Sequence, residues 1–320
     1  MNTNTTFMFS GQGSQYYGMG RELYDNHPRF KVWMDHCNDI VSPLIGTSLV
    51  DEIYQKRNDS ALFDRILYTN PALISIEVSL AHILMENGIY PDYVLGYSLG
   101  EFSAAITSEA ISLEDGLRLS VDFSKLLELK STQGGLLAVV ENPELLKSRK
   151  EWFKDVWLTG INFDKNFVVA GTRKSIDELQ LKLKKNDLLI QRLPVNYGFH
   201  TPLMDPLQND FFAIAANTDF QTAKVPIVSA QTTLEVDSNV NESHLWNVVS
   251  QPVKFDQTIL NLEGQADHRY IDVGPSGTLA TFVKYLKSDN SRSEEFQMMN
   301  QFGSNLASMN SLLDEVKQAS

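Results

Sequence analysis

The sequence predicts an α/β fold: a parallel sheet with helices on both faces, into which a small ferredoxin-like (βαββαβ) subdomain is inserted. Three observations predict it. Short apolar runs alternate with helical segments in the N-terminal part of the chain, and glycine-rich turns directly follow two of these runs. Further along, the order changes to strand, helix, two consecutive strands, helix and strand. The 320 residues suffice for a large α/β domain with an insertion.

The first elements fit the parallel part. A buried strand at 6–10 ends in the tight turn Gly11–Gln15, and helices are expected at 20–24 and 28–41. Pro71 is expected to open a long apolar helix that runs to Leu84, because proline suits the first helical turn. A strand at 93–95 and a helix after Ser98 complete the N-terminal series.

The insertion is placed at residues 132–197, which leaves 1–131 and 198–320 as the α/β-hydrolase-like catalytic subdomain. Asn142 is expected to N-cap the first helix of the insertion, with Pro143 at its start. The other elements are strands at 136–140, 156–161, 167–170 and 188–195 and a helix at 174–185. The parent fold resumes with strands at 225–229 and 270–273 and a closing helix at 304–316.

Composition excludes several classes of function. Lys plus Arg is 27 and Asp plus Glu is 40, so the net charge is −13, which disfavours nucleic-acid or anionic-membrane binding. Cys37 is the single cysteine, which excludes an internal disulfide or a multi-cysteine metal site. There is no H-x-x-x-H pair and no dinucleotide fingerprint, so no metal or redox cofactor is expected. The polar N-terminus resembles no signal peptide, so a cytoplasmic location is expected.

The segment Gly96-Tyr97-Ser98-Leu99-Gly100 is a G-x-S-x-G motif between a predicted strand and a predicted helix. This is the context of a nucleophile elbow, in which a sharp turn exposes the serine hydroxyl. The helix N-terminus supplies backbone N–H groups where an oxyanion would form. The alternative is a chance match in an ordinary strand–turn–helix connection.

A serine nucleophile needs a base, and His200 is the candidate among six histidines. It follows the last strand of the insertion, where the chain returns to the main sheet. Position alone supports it weakly, because a single histidine after a strand is usually structural. The turn Gly11–Gln15 is not a P-loop, since it lacks Gly-Lys-Ser/Thr. It is either an ordinary tight turn or a source of N–H groups near the nucleophile.

Six motifs then occur in order along nearly the whole chain: FSGQGSQ (9–15), YTNPAL (68–73), GYSLGE (96–101), GFHTPLM (198–204), PVKF (252–255) and DVGP (272–275). Together they resemble the malonyl-CoA:acyl-carrier-protein transacylase family, which includes the acyltransferase domains of polyketide and fatty-acid synthases. The predicted insertion falls where that family has one.

The resemblance implies roles for individual residues. Ser98 would be the nucleophile and His200 the general base, and the backbone N–H groups of Gln12 and Leu99 would form the oxyanion hole. In the family a backbone carbonyl or polar side chain near Pro252 orients the histidine. The usual glutamine four residues before that proline is Val248 here, which leaves the partner of His200 open.

The acyl pocket is expected to include Phe123, Phe199, Asn162 and Tyr97, and it departs from the family pattern. Tyr97 stands where histidine is usual, and Asn70 stands where glutamine precedes Pro-Ala-Leu. Transacylases of malonyl groups carry an arginine one helix after the nucleophile, and Phe123 occupies that position. A carboxylate without a charge partner would lose several kcal/mol on entering a closed pocket. The alternative is that Arg118 or Lys125 reaches the pocket.

The lost arginine and the opening motif resemble a subgroup of stand-alone acyl hydrolases. These remove short acyl groups from carrier proteins that serve polyketide synthases without built-in acyltransferases, which is a proofreading role. The sequence therefore favours hydrolysis of uncharged acyl thioesters. A transacylase that loads an uncharged starter, and a catalytically idle docking member, are the alternatives.

The partner that the resemblance implies is an acyl carrier protein, whose phosphopantetheine arm brings the acyl thioester. No resident cofactor is implied, and the family is commonly monomeric. Because carrier proteins are usually acidic, docking needs a local positive patch on this acidic chain. Five cations on or beside one predicted helix are candidates, with a solvated helix face as the alternative: Arg173, Lys174, Lys182, Lys184 and Lys185.

Overall fold

The protein is seen in a computed structural model that describes residues 3–54, 61–236 and 240–318. Its strands are β1 (Asn4–Phe9), β2 (Tyr93–Gly96), β3 (Gly134–Val139), β4 (Trp157–Phe163), β5 (Asn166–Thr172), β6 (Ile190–Arg192), β7 (Ile227–Ser229), β8 (His268–Asp272) and β9 (Glu294–Gln297). Its helices are α1 (Arg21–Asn26), α2 (Pro28–Ile45), α3 (Leu49–Tyr54), α4 (Ile66–Glu86), α5 (Gly100–Thr107), α6 (Leu113–Lys130), α7 (Leu145–Ser148), α8 (Arg173–Lys185), α9 (Gln208–Ala215), α10 (Glu242–Ser250), α11 (Phe255–Glu263), α12 (Thr278–Leu286) and α13 (Asn305–Gln318).

The larger sheet is parallel and has the strand order β7-β2-β1-β8-β9. Central strand β1 is buried on both faces. Phe7 and Phe9 enter one apolar core, while Met8, on the opposite face, enters a second core. Burial of both faces is typical of parallel sheets, and the predicted α/β class is confirmed.

The smaller sheet is antiparallel and has the order β4-β5-β3-β6. With its two connecting helices it has the βαββαβ order that the sequence predicts. One face of this sheet packs against α8, through Ile176, Leu179 and Leu183. The boundaries at 132 and 197 stay a prediction.

Two helix predictions differ from the structure. Pro71 lies inside α4 and does not open it, because the helix already begins at Ile66. Ile66 and Leu67 are buried, so their packing extends the helix by more than a turn before the proline. The helix expected after Asn142 is reduced to the single turn α7, whose N-cap is Glu144 and not Asn142. The Asn142 side chain accepts from the Glu144 amide at 2.9 Å, before the helix begins.

Helix α4 has 21 residues and, by length and composition, is apolar enough to cross a membrane, with a mean hydropathy of 1.2 in its most apolar window. In the fold, however, 89% of that window is buried. It packs against α2, α5 and α6 as a core helix.

The register of the parallel sheet places two turns side by side. Phe9 at the end of β1 pairs with Gly96 at the end of β2. The carboxyl ends of parallel strands lie at one edge of the sheet, so the turn at Gly11–Gln15 and the turn at Ser98 leave the sheet next to each other.

Candidate active site

Ser98 lies in the sharp turn between β2 and α5 with a left-handed backbone, φ 54°. Glycines on both sides make this turn possible. A Cβ on Gly96 would lie 2.2 Å from the Cα of Glu101, and a Cβ on Gly100 would lie 2.1 Å from the carbonyl oxygen of Phe9. The motif is therefore a strained elbow held by close packing, as the strand–turn–helix context predicts.

His200 contacts the elbow, although it lies 102 residues further along the chain. Its Nε2 is 2.8 Å from Ser98 Oγ, and its Nδ1 is 2.8 Å from the carbonyl oxygen of Gln251. The His200 amide also donates to the Val249 carbonyl at 3.0 Å. The structure thus brings together the serine and the histidine that the sequence singled out.

The hydrogen bond to Gln251 fixes the tautomer of His200. A carbonyl oxygen only accepts, so the proton sits on Nδ1 and the lone pair of Nε2 faces the Ser98 hydroxyl. Burial lowers the pKa of His200 to about 4, because the charged imidazolium would be desolvated, while the bond to Gln251 opposes the shift. At neutral pH the ring is uncharged and able to accept a proton.

The partner of His200 is a backbone group, which answers the question that Val248 raised. The acceptor is the carbonyl of Gln251, directly before Pro252, and not a side chain at position 248. Val248 is buried among apolar neighbours. Every residue has a carbonyl, so loss of the glutamine side chain does not remove this anchor.

The two residues expected to form an oxyanion hole flank the nucleophile. A Cβ on Gly11 would lie 3.2 Å from the Cβ of Ser98, so the backbone that leads into Gln12 passes directly over the elbow. Leu99 is the N-cap of α5. Within the described residues, neither the Gln12 nor the Leu99 amide has a hydrogen-bond acceptor. Two free N–H groups on either side of a serine suit a developing oxyanion.

The side chain of Gln12 is fixed by α4. Its Nε2 donates to Thr69 Oγ1 at 2.9 Å and to Asn70 Oδ1 at 2.5 Å, and Asn70 Nδ2 donates to Ser124 Oγ at 2.9 Å. Asn70, which replaces the family's glutamine, therefore holds the loop that carries the Gln12 amide.

Tyr97 and Asn162 contact each other across the two subdomains. The Tyr97 hydroxyl donates to Asn162 Oδ1 at 2.9 Å, and Asn162 Nδ2 donates to Asn166 Oδ1 at 2.7 Å. Nearby, the Val253 amide donates to the Thr159 carbonyl at 2.8 Å. Strand β4 is therefore bonded to both the nucleophile turn and the segment that anchors His200.

Phe123 and Phe199 form a second, separate group. Phe123 is 1% exposed. Its ring lies 6.4 Å from that of Phe199 and 5.1 Å from that of Phe211, and the Phe199 ring lies 6.3 Å from that of His200. The four residues expected in one acyl pocket are thus divided between an aromatic wall beside His200 and a polar pair beside Ser98.

Neither nearby cation lies in the aromatic wall. Arg118 pairs with Asp115 and donates to the carbonyl of Asn217 at 3.1 Å. Lys125 is about half exposed and lies 3.7 Å from Asp122. Both cations are engaged at the surface of α6, so neither supplies a positive charge to the aromatic wall.

A cavity of about 160 Å³ lies beside the elbow, between the two subdomains. Its lining includes the Gln12 loop, Tyr97, Asn162, Gln191 of β6 and Thr278 of α12. Apolar side chains, including Leu193, Leu279 and Phe282, complete the lining. It has the mixed lining of a small-molecule site.

The five candidate docking cations all lie on α8, and two of them line separate surface depressions. Arg173 donates to Gln133 and lines a depression with Arg65 and Tyr197. Lys182 lines a different depression beside Trp152. The remaining three are exposed on the same helix: Lys174, Lys184 and Lys185.

The resemblance placed the partner of His200 near Pro252 without choosing between a carbonyl and a side chain. Sequence reasoning missed two buried acidic groups near the elbow. Glu77 accepts from the hydroxyls of Ser10 and Ser103, and Glu101 contacts His244. The GYSLGE motif contains Glu101, but nothing in the motif identifies its partner. No cluster of three or more metal-ligating side chains occurs among the described residues.

Comparison with known proteins identifies the family. A family model described as "Acyl transferase domain" matches residues 6–307. A curated relative from Bacillus subtilis (strain 168), "Polyketide biosynthesis acyltransferase homolog PksD", is 39% identical over 98% of this chain and 96% of its own length. "Polyketide biosynthesis acyltransferase homolog BaeD" from Bacillus velezensis is 34% identical over 89% and 88%.

A solved structure has the same fold. The structure titled "Crystal structure of MCAT from Streptococcus pneumoniae" superposes with a TM-score of 0.79 at 27% identity, over 97% of this chain and 99% of that one.

Proposed function

The chain belongs to the acyl transferase domain family, and from that premise we propose that it hydrolyses short, uncharged acyl thioesters on acyl carrier protein during polyketide biosynthesis. The observation that carries the choice of substrate is the buried Phe123 at the aromatic wall, with Arg118 and Lys125 paired elsewhere. An apolar wall favours acetyl, propionyl or longer alkyl groups over malonyl, whose carboxylate would lose its hydration without a partner.

The Ser98–His200 contact supports a two-step reaction. Nε2 of His200 takes the hydroxyl proton while Ser98 Oγ attacks the thioester carbonyl carbon, and the Gln12 and Leu99 amides stabilise the oxyanion. The C–S bond then breaks and the thiolate takes the proton from His200. This leaves an acyl ester on Ser98 and a free phosphopantetheine thiol on the carrier protein.

The second step decides between hydrolysis and transfer. In hydrolysis, His200 takes a proton from water, the hydroxide attacks the ester carbonyl, and Ser98 Oγ leaves with the proton as the free acid departs. The thioester arm would enter through the cavity beside Tyr97 and Asn162, which opens next to the Gln12 loop. The chain then needs no resident cofactor, because the carrier protein brings the phosphopantetheine.

There are two alternatives to hydrolysis. A transacylase would pass the same acyl-Ser98 to a second thiol, and the names of the two Bacillus relatives favour it, since both are called acyltransferase homologs. An idle docking protein would need neither group, so the 2.8 Å contact between Ser98 and His200 argues against it.

The deciding experiment is intact-protein mass spectrometry. The enzyme is mixed with acetyl-, propionyl- and malonyl-loaded carrier protein, and separately with malonyl-CoA and free carrier protein. Hydrolysis predicts that acetyl and propionyl leave as free acids while malonyl stays. Movement of malonyl from CoA to the carrier protein would instead identify an extender transacylase.

The Ser98→Ala variant is the control for the nucleophile. It should form no acyl-enzyme and show no reaction with a serine-directed fluorophosphonate. A labelled ester that persists in this variant would overturn the assignment of Ser98. A wild-type protein that fails to react would support the idle alternative.

A further inference from the structure

Glu101 and His244 form a buried pair that the proposed reaction does not use. Glu101 is the third residue after Ser98 and lies in the first turn of α5, and His244 lies in the first turn of α10. Glu101 Oε1 is 2.7 Å from His244 Nε2, and the two side chains are 1% and 12% exposed. With Nε2 protonated, the imidazole donates to the carboxylate.

The Glu101 end of the pair belongs to the nucleophile turn. The Glu101 amide donates to the Ser98 carbonyl at 2.9 Å. The Cα of Glu101 also packs against Gly96 so closely that a Cβ there would be 2.2 Å away. A movement of Glu101 therefore moves the backbone of Ser98.

The His244 end belongs to the helix that holds the general base. Helix α10 runs from Glu242 to Ser250. At its far end the Val249 carbonyl accepts from the His200 amide at 3.0 Å, and the Gln251 carbonyl meets His200 Nδ1 at 2.8 Å. The position of His200 therefore depends on where α10 sits.

Because the Glu101–His244 contact is buried, losing it would cost free energy. Glu101 Oε2 is buried and has no hydrogen-bond partner among the described residues, so Oε1 and its contact with His244 carry the side chain's polar interactions. A carboxylate left alone in that place would be unsatisfied. Either water would enter, or α5 and α10 would shift until the charge found another donor.

We infer that the Glu101–His244 pair sets the separation of Ser98 Oγ and His200 Nε2 by joining the helix of the nucleophile to the helix of the base. The inference rests on the proposed function, because it concerns the reactivity of Ser98. Both members are positioning residues, since neither lies among the groups that contact the acyl chain or the oxyanion.

The test is the second-order rate constant for fluorophosphonate labelling, measured on folded protein. His244→Ala should lower it about tenfold or more, because small misplacements of reacting groups have effects of that order. His244→Gln should stay within about threefold of wild type, because a glutamine Nε2 can donate to Glu101 from a similar distance along the side chain. On the carrier-protein substrate, the loss should fall on kcat and leave KM nearly unchanged.

A matched control separates positioning from stability. Lys287 and Glu295 form a partly buried ion pair, with side chains 22% and 21% exposed, on α12's end and the edge strand β9. Lys287→Gln should lower Tm without changing the labelling rate. If His244→Ala also lowers only Tm, or if His244→Gln fails to rescue, the inference is wrong.

The experiment also distinguishes this inference from the proposed function. Labelling of wild type but not of Ser98→Ala supports the nucleophile, whatever the His244 variants do. If wild type does not label, the proposed function fails and the positioning role fails with it. Should His244→Ala not fold, His244→Leu tests the same coupling: it fills the space but cannot donate to Glu101, so a lowered rate is expected and an unchanged rate contradicts the inference.

Discussion

Ser98 and His200 share a backbone conformation as well as a hydrogen bond. Both lie in the left-handed region, with φ of 54° and 61°, and their side chains meet at 2.8 Å. A non-glycine residue in this region costs roughly 1–3 kcal/mol. The fold holds both strained turns at one edge of the parallel sheet, where the hydroxyl and the imidazole converge.

The pH dependence of labelling follows from the burial of His200. Only the neutral ring accepts the Ser98 proton, and burial lowers the pKa of His200 to about 4. We expect the fluorophosphonate rate constant to be flat from pH 8 to about 5.5 and to fall to half near pH 4. An ordinary histidine would give a half-point near pH 6.5.

The measurement is a pH series of labelling rates, with circular dichroism to keep only folded samples. His200→Ala should be slow across the whole range. A half-point between pH 6 and 7 in wild type would contradict the desolvated environment of His200.

The second prediction concerns the close approach at Gly100. A Cβ there would lie 2.1 Å from the Phe9 carbonyl oxygen and 2.7 Å from that of Ser10, and backbone atoms cannot give way as a flexible side chain does. Gly100→Ala should lower the free energy of unfolding by more than about 3 kcal/mol and abolish labelling of Ser98.

Gly264→Ala is the control for this substitution. Gly264 has φ −74° and its nearest neighbours would be 3.5 Å from a new Cβ. Its unfolding free energy should change by less than about 1 kcal/mol. Urea unfolding of the two variants, followed by labelling, makes the comparison, and equal effects would mean that the elbow is not sterically fixed.

Much of the site could be predicted because its signals are local. The glycines around Ser98 and the strand–turn–helix context follow from steric needs within a few residues. The same is true of strand β1, expected at 6–10 and observed at Asn4–Phe9, and of the order of elements in the antiparallel subdomain. The family resemblance, confirmed by the comparisons, then connected Ser98 with His200 across the chain.

The remaining features of the fold and the site depend on tertiary contacts that no local sequence pattern predicts. The resemblance placed the anchor of His200 near Pro252 but left open whether it is a carbonyl or a side chain. The anchor is the Gln251 carbonyl, which any residue at that position would supply. Helix α4 begins five residues before Pro71 because tertiary packing buries Ile66 and Leu67. Strand β9, Glu294–Gln297, is a polar edge strand, and no apolar pattern in the sequence predicts its pairing with β8.

A third prediction concerns Glu77, which links the Gln12 loop to α5. It accepts from Ser10 Oγ at 2.8 Å and from Ser103 Oγ at 2.7 Å. Burial, opposed by these two hydroxyls, raises the pKa of Glu77 to about 8. Because this value lies above the ordinary 4.5, stability from the group is full below pH 4.5 and is lost as pH rises through about 8.

Glu77→Gln imitates the protonated form at every pH. The variant should match wild type at pH 5 and exceed its unfolding free energy at pH 9 by about 1–3 kcal/mol. Glu86→Gln in the same helix is the control, since the Arg29 guanidinium lowers the pKa of Glu86 to about 2 and its removal should give no gain at pH 9. Urea unfolding at both pH values tests this, and no gain for Glu77→Gln would mean that Glu77 is ionised in the fold.

The fourth prediction is a change of substrate at Phe123. The Phe123→Arg variant places a guanidinium in the aromatic wall beside Phe199 and Phe211. A malonyl carboxylate would be its natural partner, because arginine binds a carboxylate through two parallel hydrogen bonds. Such a bond contributes about 1.5–3 kcal/mol, so malonyl occupancy of Ser98 should rise about tenfold to a hundredfold.

The same substitution should lower stability by about 2–4 kcal/mol, because it buries a charge and removes a packed ring. Phe123→Leu is the matched control: it also removes the ring but brings no charge, so it should lose stability and gain no malonyl loading. Mass spectrometry of the acyl-enzyme after incubation with malonyl-CoA compares the three proteins. If Phe123→Arg folds and loads no more malonyl than Phe123→Leu, the aromatic wall does not face the acyl group, and the preference for uncharged acyl chains must come from elsewhere in the site.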